Sequence, residues 1–94
     1  MGIFKWSNGE TYEGEMTNGK MNGYGKYTYN TGQIYEGYYV NGVKEGLGKL
    51  ISKNNNIYEG EFKNGQPDGE GILINNKGKK SNVIYKNGKM HRKK

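Results

Sequence analysis

Residues 58–65 read Tyr-Glu-Gly-Glu-Phe-Lys-Asn-Gly, a segment that contains both a strand pattern and a turn signal. In an extended strand, successive side chains point to opposite faces. Tyr58, Gly60 and Phe62 therefore share one face, and the charged residues between them share the other. The Asn-Gly pair that follows is the dipeptide that best tolerates the positive φ of a tight hairpin turn. The stretch predicts a half-buried strand that runs into a β-hairpin.

The same pattern recurs along the chain with a period of 23 residues. The Tyr-Glu-Gly triplet begins at Tyr12, Tyr35 and Tyr58. Asn-Gly pairs stand at positions 18–19, 41–42, 64–65 and 87–88, and Gly-x-Gly pairs begin at positions 23, 46 and 69. Agreement at this many positions identifies internal repeats. Because the glycines share a face with the tyrosines, we expect each ring to lie flat over neighbouring backbone.

Each repeat contains two strands joined by short turns, and short turns require antiparallel neighbours. Helix is disfavoured because the chain has 17 glycines and is rich in asparagine. The predicted fold is all-β, an elongated single antiparallel β-meander of hairpin repeats with about eight strands and a length of about 35–40 Å. We predict one domain, residues 1–94, with the following parts: a half repeat at 2–11, repeats at 12–34, 35–57 and 58–80, and a degenerate repeat with a basic tail at 81–94.

The repeat pattern Tyr-Glu-Gly-x-x-x-x-Gly-x-x-x-Gly-x-Gly resembles the MORN (membrane occupation and recognition nexus) repeat over residues 2–88. The sequence departs from the pattern at Asn55, which replaces a turn glycine, and in the last repeat, where Ser81 and Val83 replace Tyr and Gly. The resemblance implies a twisted, elongated antiparallel sheet. It also implies roles in scaffolding, partner recognition and binding of anionic lipids, in proteins of the cytoskeleton, the cilium and junctional membranes.

Residues that would carry catalysis or bind a cofactor do not occur in the required combinations. Cysteine is absent, and His91 is the one histidine. Glu13, Glu36 and Glu59 are repeat equivalents with one shared environment, whereas paired catalytic carboxylates need different environments. The Gly-x-Gly pairs lack the third glycine and the following helix of a dinucleotide-binding loop. We therefore predict no catalytic residue, no metal site, no cofactor and no enzymatic activity.

The N-terminus lacks the apolar stretch of a signal peptide. No apolar run approaches the roughly 20 residues that a membrane-spanning helix needs. We therefore expect a cytoplasmic location, and the resemblance adds an association with the cytoskeleton or a membrane.

Aromatic residues crowd the N-terminal half of the chain. A candidate protein-binding set consists of Phe4, Trp6, Tyr24, Tyr27, Tyr29, Tyr38 and Tyr39. Later equivalents of Trp6 and Tyr29 are Ser52 and Asn75, so the aromatic content falls along the array. Tyr and Trp are enriched in binding hot spots, which favours a docking strip for a partner helix or peptide. The alternative is that these rings only cap the first repeats.

Charge is distributed unevenly along the chain. Residues 1–70 contain seven lysines and nine acidic residues, a net charge of −2. Residues 71–94 contain seven lysines, one arginine and no acidic residue, a net charge of +8. The candidate anion-binding residues are Lys77, Lys79, Lys80, Lys86, Lys89, Arg92, Lys93 and Lys94. They suit lipid headgroups, an acidic protein tail or RNA, or they form a solvated end cap that prevents edge-to-edge aggregation. Nucleic acid is disfavoured because the aromatic residues are not interleaved with these lysines in the way that a stacking platform would require.

The leading functional hypothesis is a non-catalytic protein-interaction scaffold. It would present an aromatic-lined sheet to a protein partner in a larger cytoskeletal, ciliary or organellar complex. The alternative is a peripheral membrane module that binds anionic phospholipids through the basic C-terminal segment. Exposed sheet edges also allow a homodimer.

Overall fold

The computed structural model describes residues 2–92, and within them every regular element is a β-strand. The strands are β1 (Gly2–Lys5), β2 (Thr11–Thr17), β3 (Lys20–Thr28), β4 (Ile34–Val40), β5 (Val43–Ile51), β6 (Ile57–Lys63), β7 (Gln66–Ile74), β8 (Lys80–Lys86) and β9 (Lys89–Arg92). They form one sheet in which each strand pairs antiparallel with its neighbours in the chain, in the order β1 to β9. The predicted all-β meander is confirmed.

Residues 2–92 form nine strands where about eight were expected, because the degenerate repeat still pairs as β8 and β9. Val83 opposes Gly71 on the neighbouring strand and is 2% exposed. The tyrosine and the glycine of the other repeats are lost together here, and an aliphatic side chain is buried instead. The principal extents of the molecule are 43 × 24 × 17 Å, which makes it elongated as expected.

The tight turns use the Asn-Gly pairs predicted for them. The four turn asparagines have φ values between 50° and 54°: Asn18, Asn41, Asn64 and Asn87. This left-handed region is one that asparagine tolerates better than most residues. The glycine of each later turn also donates its N–H to a carbonyl of the preceding repeat, as Gly42 does to Met21 at 2.8 Å. The turns therefore connect successive repeats as well as strands.

Asn55 adopts the same backbone conformation as the turn glycines it replaces. Its φ is 70°, against 97° at Gly32 and 86° at Gly78. Its N–H donates to the carbonyl of Ser52 at 2.9 Å, and Gly32 makes the equivalent bond to Tyr29 at 3.1 Å. The departure from the repeat pattern therefore leaves the turn unchanged.

The repeated tyrosines form the centre of the core. They are 0%, 0% and 5% exposed in the order Tyr12, Tyr35 and Tyr58. Each hydroxyl donates a hydrogen bond to a backbone carbonyl three residues further on, at 2.7, 2.9 and 3.0 Å respectively. Each ring also lies over a glycine of the next strand. A Cβ on Gly48 would stand 2.6 Å from both Cε1 and Oη of Tyr35, so only glycine fits under the ring.

A second set of rings joins one repeat to the next. Its members are the repeat equivalents Tyr39, Phe62 and Tyr85. Tyr39 makes edge contacts with Tyr12 at 5.7 Å and Tyr35 at 5.2 Å between ring centroids. Phe62 bridges Tyr35 and Tyr58 in the same way, and Tyr85 contacts Tyr58. Each such aromatic pair contributes about 0.5–1.5 kcal/mol beyond the area it buries, so the repeats stabilise one another.

The sheet has two chemically different faces. The tyrosine face is the one that carries Tyr12, Tyr35 and Tyr58, and the charged face is its opposite. On the charged face, cross-strand neighbours alternate in sign in the order Glu13, Lys26, Glu36, Lys49 and Glu59. Opposite charges in this arrangement contribute roughly 0.2–1 kcal/mol per pair.

Candidate functional site

A row of aromatic rings in contact with one another lies at the N-terminal end of the tyrosine face. Ring centroids are 6.3 Å apart for Phe4 and Trp6, 5.5 Å for Trp6 and Tyr27, and 4.6 Å for Tyr27 and Tyr29. These four residues are called the aromatic row below. Phe4 is 45% exposed and Trp6 is 44% exposed. The row therefore offers solvent a large area of aromatic surface.

Glu10 holds the aromatic row in place. Its carboxylate accepts hydrogen bonds from the Tyr27 hydroxyl at 2.7 Å and the Asn30 N–H at 3.2 Å, and its carbonyl accepts one from the Trp6 N–H at 2.9 Å. The hydrogen bond from Tyr27 is the main reason that the pKa of Glu10 is lowered. Burial, together with the bond to Glu10, raises the pKa of Tyr27 to about 12. The row is thus preorganised by the turns that precede β2 and follow β3.

An open groove takes the place of aromatic rings further along the same face. Leu50 and Leu73 are the repeat equivalents of Tyr27, and Ser52 and Asn75 are the equivalents of Tyr29. The smaller side chains leave a groove of about 340 Å³, lined among others by Leu50, Ser52, Tyr58, Leu73, Asn75 and Tyr85. Sequence reasoning noted the loss of aromatics but missed this groove. The signal that could have revealed it was the replacement of large by small residues at fixed repeat positions.

Lys44 places a positive charge beside the aromatic row. Its Nζ lies 5.0 Å from the ring centroid of Tyr29 and 5.2 Å from that of Tyr35. Both distances are within the range of cation–π attraction. A second hollow of about 410 Å³ opens here, lined among others by Met21, Tyr29, Tyr39 and Lys44.

The structure does not bring the seven candidate aromatic residues together. Tyr24 and Tyr38 lie on the charged face, because they alternate with residues of the tyrosine face along β3 and β4. Tyr39 is only 3% exposed, since it packs between Tyr12 and Tyr35. Burial is also the main reason that the pKa of Tyr39 is raised. The aromatic row remains as one connected set, in which Phe4 and Trp6 are exposed and Tyr27 and Tyr29 are half-buried against the core.

The basic residues at the end of the array form two exposed groups. Lys77, Lys79 and Lys80 lie where β8 begins, and Lys86 and Lys89 lie where β8 turns into β9. The length of β8 separates the groups by about 20 Å. Arg92 is the last residue of β9, and Lys93 and Lys94 lie outside the described residues.

In the described part of the chain, no group of three or more His, Cys, Asp or Glu side chains could hold a metal ion. Glu13, Glu36 and Glu59 are separated by lysine-bearing strands. Residues 2–92 contain no helix that could span a membrane.

The repeated hairpins and the tyrosine–glycine core define a β-hairpin repeat protein. The MORN repeat family model matches residues 12–34, 35–57 and 58–80, which together are 69 of the 94 residues. The chain therefore belongs to the MORN repeat family. Repeats of this family are non-catalytic modules that mediate protein or membrane interactions. No curated protein matches the chain.

Proposed function

We propose that this chain is a non-catalytic scaffold module that binds a protein partner through the aromatic row on its tyrosine face. The observation that carries the proposal is the exposure of Phe4 and Trp6, at 45% and 44%, in a preorganised stack of rings. Trp and Tyr are enriched among the few residues that carry most of the binding energy of a protein interface. Rigid rings also lose little conformational entropy on binding.

The groove extends this docking surface toward the C-terminal half. It continues the tyrosine face and is lined by Leu50, Tyr58 and Leu73, with Ser52 and Asn75 among its polar residues. Apolar pockets with a few polar groups are typical of sites that receive a side chain from a partner. A partner helix or extended segment that crosses the aromatic row would place an apolar side chain in the groove. Such a scaffold would serve a larger cytoskeletal, ciliary or organellar assembly.

Affinity isolation from the native cell tests this function. Three versions of the chain are compared: the wild type, Trp6→Ser and Glu59→Gln. Trp6→Ser copies Ser52 at the equivalent repeat position, and Glu59→Gln alters only the charged face. We expect the wild type and Glu59→Gln to recover the same partner and Trp6→Ser to lose it. All three chains should fold, with Trp6→Ser melting at a lower temperature because it loses the ring contacts of Trp6 with Phe4 and Tyr27. Recovery of that partner by Trp6→Ser, or a wild-type chain that stays monomeric and binds nothing, would count against the proposal.

A second candidate function is peripheral binding to anionic membranes through the basic groups at the end of the array. The exposure of Lys77, Lys79, Lys80, Lys86 and Lys89 favours it. Each basic residue near an anionic membrane contributes about 1 kcal/mol. Because the charged face carries Glu13, Glu36 and Glu59, contact would be made by the end of the sheet rather than by this face.

Vesicle flotation over a salt series tests the second candidate. The expected result is binding to vesicles with phosphatidylserine, absence of binding to pure phosphatidylcholine, and release at high salt. Lys86→Glu combined with Lys89→Glu should weaken binding, whereas Lys20→Glu, at the other end of the array, should not. Binding that is indifferent to lipid charge or to salt would rule this function out.

A further inference from the structure

The charged face carries an exposed apolar patch in its middle repeat. The apolar patch consists of Tyr24, Tyr38, Val40 and Leu47, which are 47%, 49%, 51% and 64% exposed. Tyr24 and Tyr38 are cross-strand neighbours whose ring centroids are 5.4 Å apart, at an angle of 73°. A Cβ on Gly46, which precedes Leu47, would lie 4.0 Å from the Cβ of Tyr38. Tyr24 and Tyr38 are thus in contact, and Tyr38 lies beside the backbone that precedes Leu47, so the exposed residues are neighbours on β3, β4 and β5.

Tyr38 occupies a position where the neighbouring repeats have glutamate. Those residues are Glu15 and Glu61. The Glu15 carboxylate accepts the N–H of Tyr24 at 2.9 Å, and the Glu61 carboxylate accepts the N–H of Glu70 at 3.1 Å. A glutamate here thus supports the bulge of its own repeat, and Tyr38 lacks a carboxylate with which to do so. Tyr38 instead makes a cross-strand ring contact with Tyr24, which leaves both rings exposed on the charged face.

Two further positions of the apolar patch are also charged in the next repeat. Leu47 corresponds to Glu70, and Val40 corresponds to Lys63. Exposed apolar residues that stand singly need no explanation, but a contiguous group marks an interaction site. Because equivalent positions in a similar fold carry charges, the apolar residues are not a requirement of the fold. The exposed apolar residues therefore indicate a site of contact with another molecule.

Carboxylates lie at both ends of this patch. Glu61 on β6 pairs with Leu47, and Glu15 on β2 is bonded to the backbone of Tyr24. Four strand spacings separate β2 from β6, a distance of about 19 Å. Both carboxylates are fixed by backbone N–H groups, so the negative charges are preorganised.

We propose that the apolar patch binds a second protein partner, whose contact strip is apolar in the middle and basic at both ends. A second copy of this chain is disfavoured, because a twofold contact about an axis parallel to the strands would set Glu15 on β2 against Glu61 on β6 of the other copy. An anionic bilayer is disfavoured by Glu36 and the other glutamates of the charged face. Basic groups about 19 Å apart would match the two fixed carboxylates. This site is separate from the aromatic row, which lies on the other face.

Synthetic peptides test the proposal directly. The probe is an amphipathic helix with leucines on one face and lysines at both ends, about 13 residues or 20 Å apart. A matched peptide has glutamates in place of the lysines. Binding to the whole chain is measured by calorimetry and by amide chemical shifts. We expect the lysine peptide to shift the amides of Tyr24, Tyr38 and Leu47, and the glutamate peptide not to bind.

The double variant Tyr38→Glu with Leu47→Glu copies residues of other repeats, so we expect it to fold. The double variant should lower the affinity for the lysine peptide at least tenfold, whereas Trp6→Ser should leave that affinity unchanged. Equal binding of both peptides, shifts confined to the aromatic row, or an unchanged affinity in a folded double variant would overturn the proposal. The proposal would also be overturned if the wild type formed a dimer that the double variant abolishes. The same holds if the wild type adsorbed to phosphatidylserine vesicles and the double variant did not. Because Trp6→Ser reports on the aromatic row alone, failure of one site is distinguishable from failure of the other.

Discussion

The hydroxyl of Tyr35 donates a hydrogen bond to the backbone carbonyl of Tyr38, 2.9 Å away, at the bulge where β4 and β5 change register. The bond recurs from Tyr12 and from Tyr58 in their own repeats. It explains why the repeat carries tyrosine rather than phenylalanine: the ring fills the space over glycine and its hydroxyl satisfies the bulge carbonyl.

Tyr35→Phe removes this hydrogen bond and keeps the ring. Loss of one partner of a buried polar group costs about 1–3 kcal/mol, so the free energy of unfolding should fall by that amount. Denaturant titration measures it. Tyr24→Phe, at a side chain that is 47% exposed, is the control and should change stability by less than about 0.5 kcal/mol. Equal effects of the two variants would contradict the role given to the Tyr35 hydroxyl.

Gly48→Ala places a methyl group against the ring of Tyr35. Because the Cβ would stand 2.6 Å from ring atoms, the ring or the strand must shift, and we expect a loss of about 1–3 kcal/mol. Gly2→Ala is the matched control, since a Cβ there would meet its nearest atom, on Phe4, at 3.4 Å. Thermal unfolding of both proteins compares them. A Gly48→Ala protein as stable as the Gly2→Ala protein would show that the ring does not need glycine beneath it.

Asn55→Val tests the left-handed turn. Residue 55 has a φ of 70°, a conformation that costs an ordinary L-residue roughly 1–2 kcal/mol and a β-branched one more. Asn55→Gly should stay within about 0.5 kcal/mol of the wild type, since glycine occupies this place in the other repeats. The melting temperatures of the two variants measure the difference. If valine were tolerated as well as glycine, the turn geometry would be wrong.

Alkaline pH should destabilise the fold through the core tyrosines. Burial raises the pKa of Tyr58 to about 12 from an ordinary value of 10.0. The folded chain therefore retains a proton that the unfolded chain loses, so stability is complete below pH 10 and declines as pH rises through about 12. Denaturant midpoints between pH 8 and about 12 follow the decline. Tyr58→Phe should reduce the slope, and a slope that is unchanged would exclude Tyr58 as a contributor.

Much of the fold follows from local chemistry in the sequence. The alternation in residues 58–63 and the Asn-Gly pairs define strands and turns without reference to the rest of the chain. The number of strands was underestimated by one because the degenerate repeat loses its tyrosine and glycine, yet this repeat still forms strands and buries Val83 opposite Gly71. Burial of an aliphatic side chain in the sheet does not require the tyrosine pattern.

The candidate site was harder to predict because aromatic residues that are adjacent in sequence differ in burial and in the face they occupy. Tyr38 and Tyr39 are adjacent in sequence, yet Tyr38 is 49% exposed on the charged face and Tyr39 is buried in the core. The equivalence of Tyr39 with Phe62 and Tyr85 in the repeat was the available signal. The bulge between Gly37 and Tyr39, and the groove beside Leu50, depend on three-dimensional packing.

The fluorine NMR signal of Trp6 tests the proposed function most directly, because the chain contains one tryptophan. The chain is labelled with 5-fluorotryptophan and titrated with its purified partner. If the aromatic row is the docking surface, the single resonance should shift and broaden in proportion to complex formed, as Trp6 loses its 44% exposure. A complex that forms by sedimentation while the Trp6 resonance stays unchanged would contradict the account.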